Sequence, residues 1–425
     1  MNHSFGPFRS FGTFGPFGTF GTFSRSSRSS TERASSERRE YERSERSERS
    51  ERSERLSVQC VRDTWGFTLL RPHWNDVLRA SAADNPFLTW EWLHTWWTQL
   101  GEQRGLHLLV IRSGEQVVAI APFRLVNGPL ACFSRLEFLG TGYAGSDYLD
   151  VIARRGYETS AVSALVRYLT SERLALHLQH VGPDATVMLV ARQLEQTGWP
   201  CAVSPDGTCP VIMLEGHTWD SYLATLGPSH RANVRRRFRA LEQQFDVRFE
   251  RTTSEPERRE LVQRLAEFHN RRWSGRGGST AFLTPDVRAF QDEATRRAFA
   301  RGVLRMYALR LDGELAAVMY GFSHGGRFYF YQHGFDERFK DHSVGLVLMG
   351  LTVRAALEEG VREFDMLWGV ESYKFLWARD SRPLQRIELF PVHLGGTIHR
   401  RAITARRGVR TLARRVLSLG AHLWS

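Results

Sequence analysis

One pattern occurs twice. "LLVIRSGEQVVAIAPF" (108–123) and "LRMYALRLDGELAAVMYGF" (304–322) each read as an apolar strand, a glycine-bearing turn, an acidic residue and a second apolar strand. Asp312–Gly313 is close to the favoured two-residue hairpin turn, and Ser113–Gly114 takes its place in the first copy. Each hairpin is embedded in a run of alternating helices and strands. That double arrangement calls for an α/β fold built from two similar halves, and 425 residues suffice for two domains plus tails.

Around the first hairpin, "NPFLTWEWLHTWWTQLG" (85–101) is an expected helix, with Trp92, Trp96 and Leu100 on one face. Helices are also expected at 159–171 and 184–197, with a strand at 174–181 between them. "CPVIML" (209–214) should be the strand that enters the second half. There, "HRANVRRRFRALEQQ" and "ERRELVQRLAEFHNRRW" read as helices, then come the hairpin, the strand "RFYFYQHGF" and the helix "SVGLVLMGLTVRAALEEG" with Gly360 as its C-terminal cap. The strand "EFDMLWG", the short helix "ESYKFLWA" and the strand "PLQRIELF" complete the series.

The resulting division is a low-complexity stretch (1–55), an N-terminal unit (56–208), a C-terminal unit (209–395) and a basic amphipathic tail (396–425). Residues 1–55, with Phe-Gly-Thr and Ser-Glu-Arg repeats, cannot bury enough apolar surface to offset their ordering entropy and are expected to be disordered. Charge is distributed along this division. Of the net +12, residues 1–55 carry +3 and residues 396–425 carry +7, which leaves +2 for the body. Basicity therefore points to no nucleic-acid function, although the tail could touch an anionic membrane surface weakly. No stretch approaches the ~18 apolar residues of a membrane helix. The four cysteines, Cys60, Cys132, Cys201 and Cys209, stand far apart without a CxxC pair, which fits a reducing cytoplasm and neither a disulfide framework nor a zinc site. Neither lysine follows a glycine, so there is no P-loop, and GxSxG and HExxH are absent.

Of the 58 basic residues only Lys340 and Lys374 are lysines. Lysine is a compact movable charge and arginine a planar fork, so Lys374, beside Tyr373, marks a place that arginine would not fill. The bland alternative is a surface pair with Glu371, worth only ~0.3 kcal/mol.

"NPFLTWEWLHTWW", "SHRANVRRRFRALE", "FHNRRWSGRG", "YQHGFDERFKDHSVGLVL" and "FDMLWGVESYK" together resemble the CelD/BioF-like branch of the GNAT acyltransferases, over roughly residues 60–390. The resemblance implies tandem GNAT-like domains, each a mixed twisted sheet flanked by helices, as in the Fem-type transferases. It implies an acyl thioester of coenzyme A as co-substrate, lying between "RFYFYQHGF" and "EFDMLWG". Ser343, Val344, Gly345 and Leu346 would then offer helix-start amides to the pyrophosphate, with Gln332 nearby. The single glycine of "DHSVGL" departs from the usual Arg/Gln-x-x-Gly-x-Gly/Ala loop. A plain helix start capped by Ser343 is the competing account.

His333 is the candidate base and Tyr373 the acid that protonates the departing thiolate. Because strand faces alternate, only one of Gln332 and His333 should face the gap unless a bulge intervenes. Lys374 would steady negative charge, with Asp365 or Glu371 as its partner. His269, Arg272 and Trp273 would form an acceptor-side wall, or merely a helix end. Arg231, Arg235 and Arg239 could meet an acidic acceptor or RNA, or form a solvated face. The first half's nearest counterpart to the site, "LEFLGTGYAGSDYLDV", has no lysine, so that half is expected to be non-catalytic. The implied activity is acyl transfer to an amine or hydroxyl, without metal, in polysaccharide or cell-envelope biosynthesis. The alternatives are an aminoacyl-tRNA-dependent transferase and a non-catalytic scaffold.

Overall fold

In the computed structural model the described residues run from 56 to 401, apart from 102–104, 129–133, 274–281, 393–395 and 399. The expectations for residues 1–55 and for most of the basic tail lie outside them. The first half comprises β1 (Leu56–Val61), α1 (Thr64–Leu69), α2 (Arg71–Arg79), α3 (Trp90–Trp96), β2 (Gly105–Ser113), β3 (Gln116–Val126), β4 (Arg135–Phe138), β5 (Ile152–Ala153), α4 (Glu158–Glu172), β6 (Ala175–Val181), α5 (Thr186–Gln196) and β7 (Cys201–Met213). The second comprises α6 (Trp219–Thr225), α7 (Pro228–Gln244), β8 (Val247–Arg251), α8 (Glu255–Trp273), α9 (Pro285–Ala300), β9 (Leu304–Leu311), β10 (Glu314–His324), β11 (Arg327–Phe335), α10 (Val344–Glu358), β12 (Glu363–Asp365), α11 (Lys374–Trp377) and β13 (Asp380–Leu389).

Both hairpins form as expected, β2–β3 and β9–β10, and each half adds a parallel pair, β4–β6 and β11–β12. All described strands join one mixed sheet in the order β1-β2-β3-β4-β6-β13-β7-β12-β11-β10-β9-β8, with β5 beside β3. The centre of that order is an exchange. β7, which closes the first half, pairs with β12 of the second, while β13, which closes the second, pairs with β6 of the first. β7 and β13 also pair with each other. The expected division at 208/209 therefore falls inside one continuous strand.

"CPVIML" begins eight residues later than the strand it belongs to, because Pro205, Asp206 and Gly207 resemble a loop. They form a bulge instead: Gly207 faces Leu384 and Pro205 faces Gln385, leaving Asp206 without an opposite residue. "EFDMLWG" stops early as a strand. Leu367 has φ 56°, and its amide donates to the Asp365 carboxylate at 2.8 Å, so the chain turns away after Asp365. "ESYKFLWA" is helical only over Lys374–Trp377.

Helices cover both faces of the second-half sheet. Alternation along β10 sends Val318, Tyr320 and Phe322 to a core shared with α8, α9 and the first half. Ala317 and Met319 face the other way, onto α6, α7 and α10. Aromatic contacts such as Trp92–Phe290 (5.0 Å between ring centres) and Phe87–Phe322 (6.2 Å) tie the halves into one core.

Candidate active site

The register fixes where a cavity can open. β11 and β12 pair only over Arg327–Tyr329 and Glu363–Asp365. Beyond that, Phe330–Gly334 and Met366–Trp368 diverge around a cleft of about 770 Å³. Val181, at the end of β6, faces Gln385, which lies opposite Pro205, whereas Asp365, at the end of β12, faces Val211. The carboxyl ends of β6 and β12 thus converge from opposite directions on the middle of β7. The cleft lies there, so both halves line it: Gly142–Gly145, Asp147, Gln179, His180 and Asp206 from the first, and His269, Gln332, His333, Glu371, Tyr373, Lys374 and Arg386 among those of the second.

A bulge does intervene in β11. Tyr320 faces Gln332 and Gly321 faces Phe330, so Tyr331 has no opposite residue. Gln332 and His333 both line the cleft. Gly321 is required, because a Cβ there would overlap the Tyr329 carbonyl oxygen. The Tyr331 hydroxyl donates to the Ala144 carbonyl in the first half. His269 Nε2 donates to the His333 carbonyl at 2.9 Å. The His333 ring lies against Phe330 and Tyr373, with ring centres 5.2 and 5.8 Å away.

Lys374 is not half of a surface pair: its side chain is 5% exposed. Nζ donates to the carbonyls of Trp368 (2.8 Å) and Leu367 (3.3 Å) and lies 3.2 Å from Glu371, which is itself half exposed. Three acceptors converge on one nitrogen, a geometry that suits an ammonium and not a planar guanidinium. A Cβ on Gly369 would sit 2.7 Å from that nitrogen, so this loop needs glycine. Asp365 does not pair with Lys374. It is fully buried, accepts from the Tyr148 hydroxyl at 2.6 Å and lies 3.4 Å from Arg382. Burial pushes its pKa up to about 6, against the pull of these donors.

The first-half wall of the cleft is built from residues that the motifs did not mark. Asp147 accepts from the Trp368 backbone amide at 2.7 Å and lies 3.2 Å from His180 Nδ1, a close charge contact whose angles are not those of a good hydrogen bond. His180 has φ 56°, held there by its amide, which donates to Asp206 at 2.9 Å, and by its carbonyl, which accepts from Leu149 at 3.2 Å. Burial opposes the imidazolium, but Asp147 and then Asp206 more than offset it, so the His180 pKa lies above its usual 6.5. Asp206 also pairs with Arg386. No local pattern marks this wall: only the fold makes Asp147 and Asp150 of "GSDYLD" almost wholly buried acids.

The expected residues at the start of α10 are not among those that line the cleft. Ser343 stands at the N-terminal cap of α10 with φ 56°, but its side chain makes no capping bond, so it does not cap as expected. Val344 is buried in the core, and the Leu346 amide already donates to the Ser343 carbonyl at 3.0 Å. At Gly345 a Cβ would meet Phe335 at an ordinary 3.6 Å, so internal packing does not demand glycine there. Arg272 and Trp273 end α8, and their side chains lie outside the described residues.

Residues 228–375 match the family model described as an acetyltransferase (GNAT) domain. That stretch runs from α7 into α11 and includes the second-half side of the cleft up to Lys374. In overall shape the chain is similar to the crystal structure of FemX, at 10% identity, covering 77% of this chain and 96% of that one, with a TM-score of 0.54. It is also similar to a conserved protein of unknown function from Bacteroides thetaiotaomicron, at 11% identity, 79% and 99% coverage, and a TM-score of 0.50. A tandem GNAT protein from the clavulanic acid biosynthesis pathway aligns at 14% identity over 78% and 98%, with a TM-score of 0.40. Comparison with the curated proteins finds no match by sequence. The chain has a GNAT-like α/β fold, and residues 228–375 in its second half are similar to a GNAT acetyltransferase domain. Among the described residues no helix is long and apolar enough to cross a membrane, and no cluster of three or more His, Cys, Asp or Glu is disposed to hold a metal.

Proposed function

We propose that the protein transfers an acyl group from coenzyme A to an amine, at the cleft where β11 and β12 part. The observation that carries this reading is that divergence, lying within the stretch that matches the acetyltransferase domain. Separated strands expose backbone groups that a thioester arm can bridge, and the cleft volume falls in the range of ligand sites. The pyrophosphate would meet the start of α10. The first turn of that helix holds no acid, and Lys340 and His342 precede it, whereas α4, its counterpart in the first half, begins with Glu158. The amide of Gly345, with no side chain in the way, is the best-placed donor.

The amine nitrogen attacks the thioester carbonyl, the C–N bond forms and the C–S bond breaks. Tyr373, lining the cleft beside His333, gives its proton to the leaving thiolate. Lys374 acts through the loop: by holding the Leu367 and Trp368 carbonyls it fixes the wall opposite β11. Thermal unfolding of the full chain with and without acetyl-CoA tests this. At 100 times its dissociation constant the ligand stabilises by ~2.7 kcal/mol. No shift with acetyl-CoA or longer thioesters overturns the reading. A role in cell-envelope or polysaccharide biosynthesis belongs to the same proposal through the resemblance noted in the sequence.

One observation favours the second reading, an aminoacyl-tRNA donor. Arg231, Arg235, Arg236 and Arg239 share one open face of α7. Binding of a short RNA duplex that is lost at high salt, with no response to acetyl-CoA, would select it.

A further inference from the structure

Resting on the acyl-transfer reading, we propose that His180 is the base that takes the acceptor amine's proton, that Asp147 positions it, and that the exposed Trp368 indole is the platform on which the acceptor, an amino sugar, lies. Three independent observations converge. His180 occupies a backbone conformation that non-glycine residues avoid, and two hydrogen bonds hold it there; such enforced strain gathers at functional sites. Its Nδ1 is turned toward the Asp147 carboxylate, so the edge of the ring that remains for the cleft carries Nε2. A carboxylate behind one imidazole nitrogen selects the tautomer that leaves the other as acceptor.

The third observation is Trp368. An indole 52% exposed would ordinarily move, but this one is fixed. Its Nε1–H donates to the Asp206 carbonyl at 2.8 Å and its edge abuts Gly207, where a Cβ would overlap it. The ring stands 6.1 Å from the His180 ring, nearly perpendicular to it. A rigid exposed indole offers a flat apolar face to the C–H side of a sugar ring. Beside it, Gln179 and the Asp206–Arg386 pair supply the polar groups that hydroxyls need.

The step balances. The neutral amine attacks, the cationic nitrogen of the tetrahedral intermediate gives its proton to His180 Nε2, and the thiolate takes one from Tyr373. Solvent then returns the His180 proton to the Tyr373 phenolate, with no net change in the protein. The groups that set the His180 titration are Asp147 on the loop after β4, Asp206 on β7 and Arg386 on β13.

The test uses the full chain with histidine labelled in its imidazole nitrogens and D-glucosamine as the probe, without donor. The His180 signal, assigned by its loss in His180→Asn, should titrate above pH 6.5 and shift on adding glucosamine; in Asp147→Asn it should titrate lower. The same ligand should quench tryptophan fluorescence in the wild type and not in Trp368→Ala. A His180 signal that glucosamine leaves unmoved overturns the proposal, whatever the donor proves to be. With acetyl-CoA present, His180→Asn should lower glucosamine acetylation at least 100-fold while acetyl-CoA binding stays within twofold. Activity of that variant within threefold of wild type also overturns it. Absence of acetyl-CoA binding would overturn the donor reading alone, and the donor-free titration would still decide this one.

Discussion

The two halves share a frame and differ in how each treats the opening beyond its parallel pair. After β4 the chain fills its own opening with residues 139–151. That segment is pinned by Trp92, whose Nε1–H donates to Ser146 at 2.9 Å, by Asn85, which donates to the Tyr148 carbonyl at 3.1 Å, and by the Tyr331 hydroxyl on Ala144. After β11 the chain passes through a 3-10 turn to α10 and does not fold back into the opening, which forms the cleft. One half fills its gap and offers the filling as a wall of the cleft; the other leaves its strands parted. On the proposed reading, two similarly ordered halves divide the work, one supporting and the other reacting.

The largest effect that would break this comparison is loss of the pin on the open side. Lys374→Ala leaves the buried Leu367 carbonyl and the part-buried Trp368 carbonyl unpaired and should cost about 4 kcal/mol in urea unfolding. Lys374→Arg should not recover it, because a planar fork cannot serve three convergent acceptors. Next comes the contact between halves at Asp365. Its folded pKa of about 6 exceeds the ordinary 3.8, so its protonated form favours folding below pH 4, and that contribution is lost as pH rises through 6. Against Asp365→Asn, the wild type should lose about 3 kcal/mol of relative stability between pH 3 and 7; a constant difference would show that Asp365 titrates normally.

Catalysis sharpens the contrast further. Tyr373→Phe should lower kcat about 100-fold with acetyl-CoA binding unchanged, read by thiol release and calorimetry side by side. A smaller effect should come from Gly345→Ala, in which thermal stability holds while acetyl-CoA binds about tenfold more weakly, because the added methyl meets ligand and not protein. Glu371→Gln should be nearly silent, within about 0.5 kcal/mol, since its carboxylate is half exposed.

Legibility in the sequence tracks locality. The hairpins at Ser113–Gly114 and Asp312–Gly313 rest on turn chemistry written in adjacent residues, and both formed. The start of β7 was illegible, because Pro205–Gly207 become strand only by pairing with β13, far along the chain. In the cleft, Gln332, His333, Glu371, Tyr373 and Lys374 were readable from two compact motifs. His180 and Asp147 were not, since they meet through β6 and a loop with no fixed spacing between them. Lys374 was singled out for its chemistry, but its task, holding carbonyls, depends on burial that no residue count reveals.

The exchanged strands have a consequence for how the protein comes into being. Synthesis delivers β13 after every other described strand, and its ten residues lie between β6 and β7. Until they emerge from the ribosome, the nascent chain carries two unpaired sheet edges and the ends of β6 and β12 have nothing to hold them together. Completion of the cleft is therefore coupled to the emergence of β13. A message truncated before β13 should yield no partly working product, only a polypeptide for the quality-control machinery to remove.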